Sequence, residues 1–126
     1  MINRRILVID DEEDIQDVAR VALEVVGGWE VFTASSGKEG LLLAETQQPN
    51  AILLDIMMPD IDGIATFKQL QANPATQQIP VILLTAKVQS ADRHRFAKLG
   101  ITAIIPKPFK TMLLADQVAK ILGWED

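Results

Sequence analysis

The sequence has no cysteine, a single histidine, and only 5% aromatic residues. Without cysteine there are no disulfides and no thiolate chemistry, which fits a reducing compartment. Basic charge is also scarce. Against 17 Asp and Glu stand 12 Lys and Arg, a net charge of −5 that lacks the footprint of a nucleic-acid binder. Long apolar runs are missing as well. The N-terminal "MINRRILVIDD" sets two arginines before four apolar residues, a run too short for the hydrophobic region of a signal peptide. No other stretch approaches the ~20 residues that span a bilayer. These absences predict a soluble, cytoplasmic protein with no membrane partner. What remains is ordinary for a folded chain, 48% hydrophobic and 23% charged over 126 residues. A chain of that size buries about two-thirds of its unfolded surface in one core, so residues 1–126 are read as a single domain.

Short apolar runs alternate with longer segments of helical period. The runs are "RILVID" (5–10), "WEVFTA" (29–34), "NAILLD" (50–55), "PVILLT" (80–85) and "AIIPK" (103–107). Most are continuous in Ile, Leu and Val, as in strands covered on both faces. Only "WEVFTA" alternates in part, as an edge strand does. Between them, Ile15, Val18, Ala22 and Val25/Val26 share one helical face, with Gly27 as the stop. Ser36 and Glu39 form a capping box, and Pro49 follows the end of that helix. "GIATFKQLQAN" stops before Pro74, Ser90 can cap a fourth helix, and Thr111 can cap a fifth whose stripe is Leu114, Val118 and Ile121/Leu122. Strict β-α alternation implies right-handed crossovers and a doubly wound parallel sheet with helices on both faces. Ligand sites in such sheets lie outside the carboxyl ends of the strands.

The residues that end those strands form a chemical set. The first strand ends in Asp10 and Asp11, the third in Asp55, the fourth in Thr85 and the fifth in Lys107. Asp often caps a helix after a strand, and Glu12, Glu13 and Asp14 suit the start of the first helix. That role does not cover Asp55, which is followed by "IMMPDIDG". Three converging carboxylates repel, and a hard divalent ion such as Mg²⁺ relieves the repulsion. Asp55 could then attack a phosphoryl donor, with Thr85 and Lys107 balancing charge on the transferring group. A nucleotide site would need a Gly-rich turn after the first strand, and here that turn is acidic. Phosphatases of the haloacid dehalogenase type carry a second Asp two residues after the nucleophile, where this chain has Met57.

"IDDEEDI", "LLDIMMPDIDG", "LLTA" and "PKPF" resemble, in order and spacing, the signature of response-regulator receiver domains of two-component signalling, chemotaxis regulators among them. The resemblance runs from about residue 4 to 122. It implies a flavodoxin-like fold with strand order 2-1-3-4-5 and phosphorylation on Asp55 by a histidine kinase or a histidine phosphotransfer protein. It also implies Mg²⁺ on Asp10, Asp11, Asp55 and the backbone carbonyl of Met57, with Asp11 the more direct ligand and Asp10 acting partly through water. By the same resemblance Thr85 would be the switch hydroxyl, Lys107 would bond the phosphoryl group, and the Lys107–Pro108 peptide would be cis. Pro59 and Gly63 shape the loop after Asp55, Gly63 at positive φ.

One departure stands out. Ile104 occupies the switch position three residues before Lys107, where the family has Tyr or Phe. Readout is then muted, or carried by the loop after the fourth strand with Ile104 repacking. Met57 and Lys87 occupy the positions that tune phosphoryl lifetime, and neither orients an attacking water well, which implies a long-lived phosphoryl group. His94, beside Arg93 and Arg95, reads as an exposed helix residue, the Met57–Met58 pair as loop packing, and Trp29 and Trp124 as covers for apolar edges. Arg93, Arg95 and Lys98 read first as a solvated helix face; the resemblance also puts them on the face of the fourth helix, fifth strand and fifth helix that receivers offer to downstream proteins or to a phosphorylation-dependent homodimer. The expectation is a stand-alone receiver, a signalling domain rather than an enzyme, since only "WED" follows Gly123. The alternatives are a Mg²⁺-dependent phosphohydrolase with an aspartyl-phosphate intermediate and a receiver fragment of a larger regulator.

Overall fold

The five apolar runs become five parallel strands. The computed structural model describes residues 4–56, 63–85, 90–107 and 109–124, and the backbone only for 90–93. In chain order the elements are β1 (Arg5–Ile9), α1 (Glu13–Val21), a π-helical turn (Ala22–Val26), β2 (Glu30–Ala34), α2 (Gly37–Gln47), β3 (Ala51–Asp55), α3 (Gly63–Ala72), β4 (Val81–Thr85), α4 (Ser90–Leu99), β5 (Ala103–Pro106) and α5 (Thr111–Leu122). The strand order is β2-β1-β3-β4-β5, all parallel. This is the doubly wound parallel sheet that the alternation implies, in the flavodoxin-like strand order that the resemblance implies. Among the described residues no helix is long and apolar enough to cross a membrane.

Two cores sandwich the sheet. Side chains alternate faces along a strand, so Leu7 and Ile9 join Phe67, Leu70 and Phe96 beneath α2, α3 and α4. Ile6 and Val8 join Ala19, Leu23, Leu114 and Val118 beneath α1 and α5. Each large aliphatic side chain buried this way contributes about 1.5–3 kcal/mol. β3 and β4 are buried along their whole length, and β2 at the edge is only partly covered, as its alternation predicts. The Leu114 and Val118 stripe of α5 is buried.

The first helix corrects the predicted face. Its buried residues are Gln16, Ala19, Ala22 and Leu23, while Val18, Val25 and Val26 are exposed. The small Ala19 and Ala22 let the helix sit close to the sheet, and Gln16 replaces an apolar contact with hydrogen bonds. The wider π-turn then shifts the phase, so the valines cannot share the inner arc. The helix stops at Gly27, as expected, and Gly28 beside it holds a positive φ of 71°. At α2 the Ser36 hydroxyl accepts from the Glu39 amide at 3.1 Å, but the Glu39 carboxylate reaches the Ser35 amide, at 3.2 Å, rather than that of Ser36. α5 begins after Lys110, with no side-chain cap, and Thr111 is its first helical residue.

Candidate functional site

The parallel register sets the strand ends side by side. Asp55 closes β3 opposite Leu84, and Thr85 closes β4 opposite Pro106. Asp10 follows directly on β1. Asp10, Asp55 and Thr85 are buried, whereas Asp11 is exposed at the rim. One carboxylate oxygen from each of Asp10, Asp11 and Asp55 lies within 4.8 Å of the others. Such all-oxygen clustering, closed on the protein side and open at Asp11, suits a hard divalent cation that keeps several waters. The residues present therefore fit Mg²⁺.

Lys107 enters the cluster from the end of β5. Its Nζ donates to Asp10 Oδ2 at 2.8 Å and lies 3.5 Å from Asp55 Oδ1. Its backbone amide donates to the Thr85 carbonyl at 2.8 Å, which fixes where the stem begins. Burial would lower the pKa of this ammonium. The hydrogen bond and charge of Asp10, with the charges of Asp55 and Glu12, outweigh that and hold it above the ordinary lysine value. The ammonium and the acids are thus one electrostatic unit.

The loop that carries Asp10 is pinned from several sides. The Asp10 amide donates to Ala34 O at 3.0 Å, and the Glu12 amide donates to Asp10 Oδ1 at 2.9 Å. Gln16, buried on the inner side of α1, donates through Nε2 to Asp10 O at 2.5 Å, Ser35 Oγ at 3.1 Å and Ala34 O at 3.3 Å. Sequence reasoning missed Gln16. Its signal was a polar residue next to the predicted apolar face, six positions after Asp10.

Gly63 is needed for a reason other than the expected one. It is not among the glycines of positive φ, which are Gly28, Gly100 and Gly123. A Cβ on Gly63 would instead strike the Asp55 carbonyl oxygen and come 2.5 Å from Ile56 Cα. Its amide donates to Ile56 O at 2.8 Å, so the start of α3 is packed directly under the acidic strand end. Met57, Pro59, Lys87 and Pro108 lie outside the described residues, and with them the carbonyl ligand, the loop proline, one lifetime position and the cis peptide.

Ile104 is half-buried against the core on the α4 side. It lines an open cavity of about 340 Å³ with Phe96, Ala97, Ile101, Thr102, Ala103 and Ile121. His94 and Arg95 are exposed. At the opposite edge of the sheet Trp29 and Trp124 meet edge to face, with centroids 5.1 Å apart. Arg4 lies over Trp124 and donates to its carbonyl at 2.7 Å. Both rings pack on the α1–α5 core, as expected of edge covers.

Fold and site together define a doubly wound α/β protein with an acidic cluster and a lysine at its carboxyl edge. The family model of the response regulator receiver domain matches residues 6–119, and the chain belongs to that family. It is 40% identical over 121 residues to the alkaline phosphatase synthesis transcriptional regulatory protein PhoP of Bacillus subtilis, covering 96% of this chain and 49% of PhoP. The chain thus spans about half the length of the curated relatives it matches. Among solved structures, chemotaxis protein CheY4 of Vibrio cholerae superposes with a TM-score of 0.88 at 24% identity, over 95% of this chain and 99% of that one, a likeness of fold. The receiver domain of sensor histidine kinase PA1611 from Pseudomonas aeruginosa, solved with a magnesium ion coordinated in its active-site cleft, gives a TM-score of 0.84 at 28% identity over 97% and 99%.

Proposed function

We propose that this receiver domain, taken as one unit over residues 1–126, accepts a phosphoryl group on Asp55 from a histidine kinase or histidine phosphotransfer protein. One observation carries the reading: Asp10, Asp11 and Asp55 converge within 4.8 Å with the Lys107 ammonium bonded among them. Asp10, Asp11 and Asp55, with the Met57 carbonyl, would hold Mg²⁺, whose chemistry is to neutralise charge on the phosphoryl oxygens. An Asp55 carboxylate oxygen forms the new P–O bond while the P–N bond to the donor imidazole breaks, and the imidazole leaves with that electron pair. Lys107 balances the negative charge that arrives. The hydroxyl of Thr85, a buried residue one strand away, would donate to the phosphoryl group and so report its presence.

The catalysis is confined to the domain's own phosphorylation and dephosphorylation, in the cytoplasm. Readout runs to a downstream protein, or to a second copy, through the face of α4, β5 and α5, where the cavity beside Ile104 stands open. PhoP is named as a transcriptional regulatory protein. The expectation of no nucleic-acid partner is therefore narrowed to these acidic residues' own surface and does not extend to regulators built on such a domain.

The test is intact-mass spectrometry after incubation with acetyl phosphate and Mg²⁺. One phosphoryl adduct is expected, lost without Mg²⁺ and lost in Asp55→Asn. Repeated donor turnover without an adduct would favour a phosphohydrolase and refute the slow phosphoryl loss expected from Met57 and Lys87.

A further inference from the structure

We infer that Gln16 is a positioning residue for the metal-holding acids, its buried amide fixing the peptide that joins Asp10 to Asp11. The inference rests on the reading of the acidic cluster as a divalent-cation site. Gln16 and Ala19 are the buried residues of α1, so a primary amide stands where an apolar side chain would otherwise serve the core. Burying an amide is unfavourable unless its donors are bonded. Here Nε2 faces three acceptors on two loops, and the shortest contact, 2.5 Å, is to the Asp10 carbonyl.

That carbonyl belongs to the Asp10–Asp11 peptide, so holding it sets the plane from which both carboxylates project. The other bonds at Asp10 complete the constraint. Its amide is held by Ala34 O and its Oδ1 by the Glu12 amide, which leaves Oδ2 turned to Lys107 at 2.8 Å. Asp11, exposed at the rim, receives its place from the same peptide. Outer partners that orient metal ligands typically change metal affinity by about 10–100-fold when removed. A tie that merely joined two loops would change stability and leave metal affinity alone.

The experiment is a Mn²⁺ titration followed by electron paramagnetic resonance on the full chain, wild type against Gln16→Met. Methionine keeps length and volume but has no donor. The dissociation constant is expected to rise about tenfold. The Mg²⁺ concentration for half-maximal labelling by acetyl phosphate is expected to rise by the same factor, with the rate at saturating Mg²⁺ retained. Equal Mn²⁺ affinity, or a lower rate at every Mg²⁺ concentration without a shift in half-saturation, overturns the inference. If circular dichroism shows Gln16→Met unfolded, Gln16→Asn takes its place: its amide falls one carbon short of Asp10 O, and wild-type affinity there overturns the inference equally. A wild-type chain that binds no Mn²⁺ overturns the cation site itself, an outcome distinct from a Gln16 variant that binds as well as wild type.

Discussion

Replacing Lys107 by methionine tests whether the ammonium and the acids form one unit. The stem is kept and the charge removed. In the native protein Nζ lies 2.8 Å from Asp10 Oδ2 and 3.5 Å from Asp55 Oδ1. The closer pair has a gross attraction of about 6 kcal/mol at an effective dielectric of about 20, much of it offset by desolvation. Removing one partner of a buried pair typically costs about 3–5 kcal/mol, because the other charge is left uncompensated. Asp11 opens the pocket to water, so the lower end applies. Lys107→Met should lose about 3 kcal/mol in EDTA, or roughly 10 °C in melting midpoint for a chain of this size. Mg²⁺ should restore part of that loss and stabilise the variant more than wild type at equal concentration, since a ligand acts through its affinity for the folded state.

The pH dependence has a definite sign. The folded-state pKa of Lys107 lies above 10.5, so its contribution is fully present below 10.5 and is lost as pH rises through the folded value. The gap between wild type and variant should stay flat through neutral pH and narrow only in strong alkali. Urea unfolding with and without EDTA, repeated across pH, reads all three quantities. A variant within about 1 kcal/mol of wild type in EDTA, or equal stabilisation of both by Mg²⁺, would refute the reasoning.

Two further substitutions probe the packing around the site. Gly63→Ala should destabilise by about 2 kcal/mol, because the new methyl meets backbone rather than a side chain that can rotate away. It should also slow labelling of Asp55, whose carbonyl must move, and unaltered stability and labelling would contradict the close approach. Thr66 is buried in α3 and its hydroxyl has no hydrogen-bond partner among the described residues, so Thr66→Val should stabilise by about 1 kcal/mol; a loss of similar size in chemical denaturation would show that the hydroxyl is bonded.

The architecture was legible because the strands are continuous in Ile, Leu and Val and because polar residues punctuate their ends. Asp10, Asp55, Thr85 and Lys107 were visible for the same reason: each interrupts an apolar run at one edge of the sheet. What periodicity could not reveal was the rotation of α1. Two overlapping arcs of that helix are plausible by hydrophobicity alone, and the choice was made by the small Ala19 and Ala22 and by hydrogen bonds from Gln16 to a loop distant in sequence. Gly63 was marked as special, but φ and close approach leave the same trace in a sequence, and only the position of the Asp55 carbonyl separates them. Ile104 was legible as a substitution against the family pattern, while the open space beside it depends on α4 and α5 together.

The pairing of Trp29 with Trp124 has a practical consequence. Trp29 precedes β2 and Trp124 follows α5, so both indoles sit at the amino-terminal edge of the sheet, with Arg4 at the foot of β1. The acids crown the other edge, a five-residue strand of about 17 Å away. Intrinsic emission therefore carries no direct signature of a cation or phosphoryl group near Asp55. Any spectral change on loading the acids would be an optical measure of how far strain travels through the β-sheet, obtained without a label.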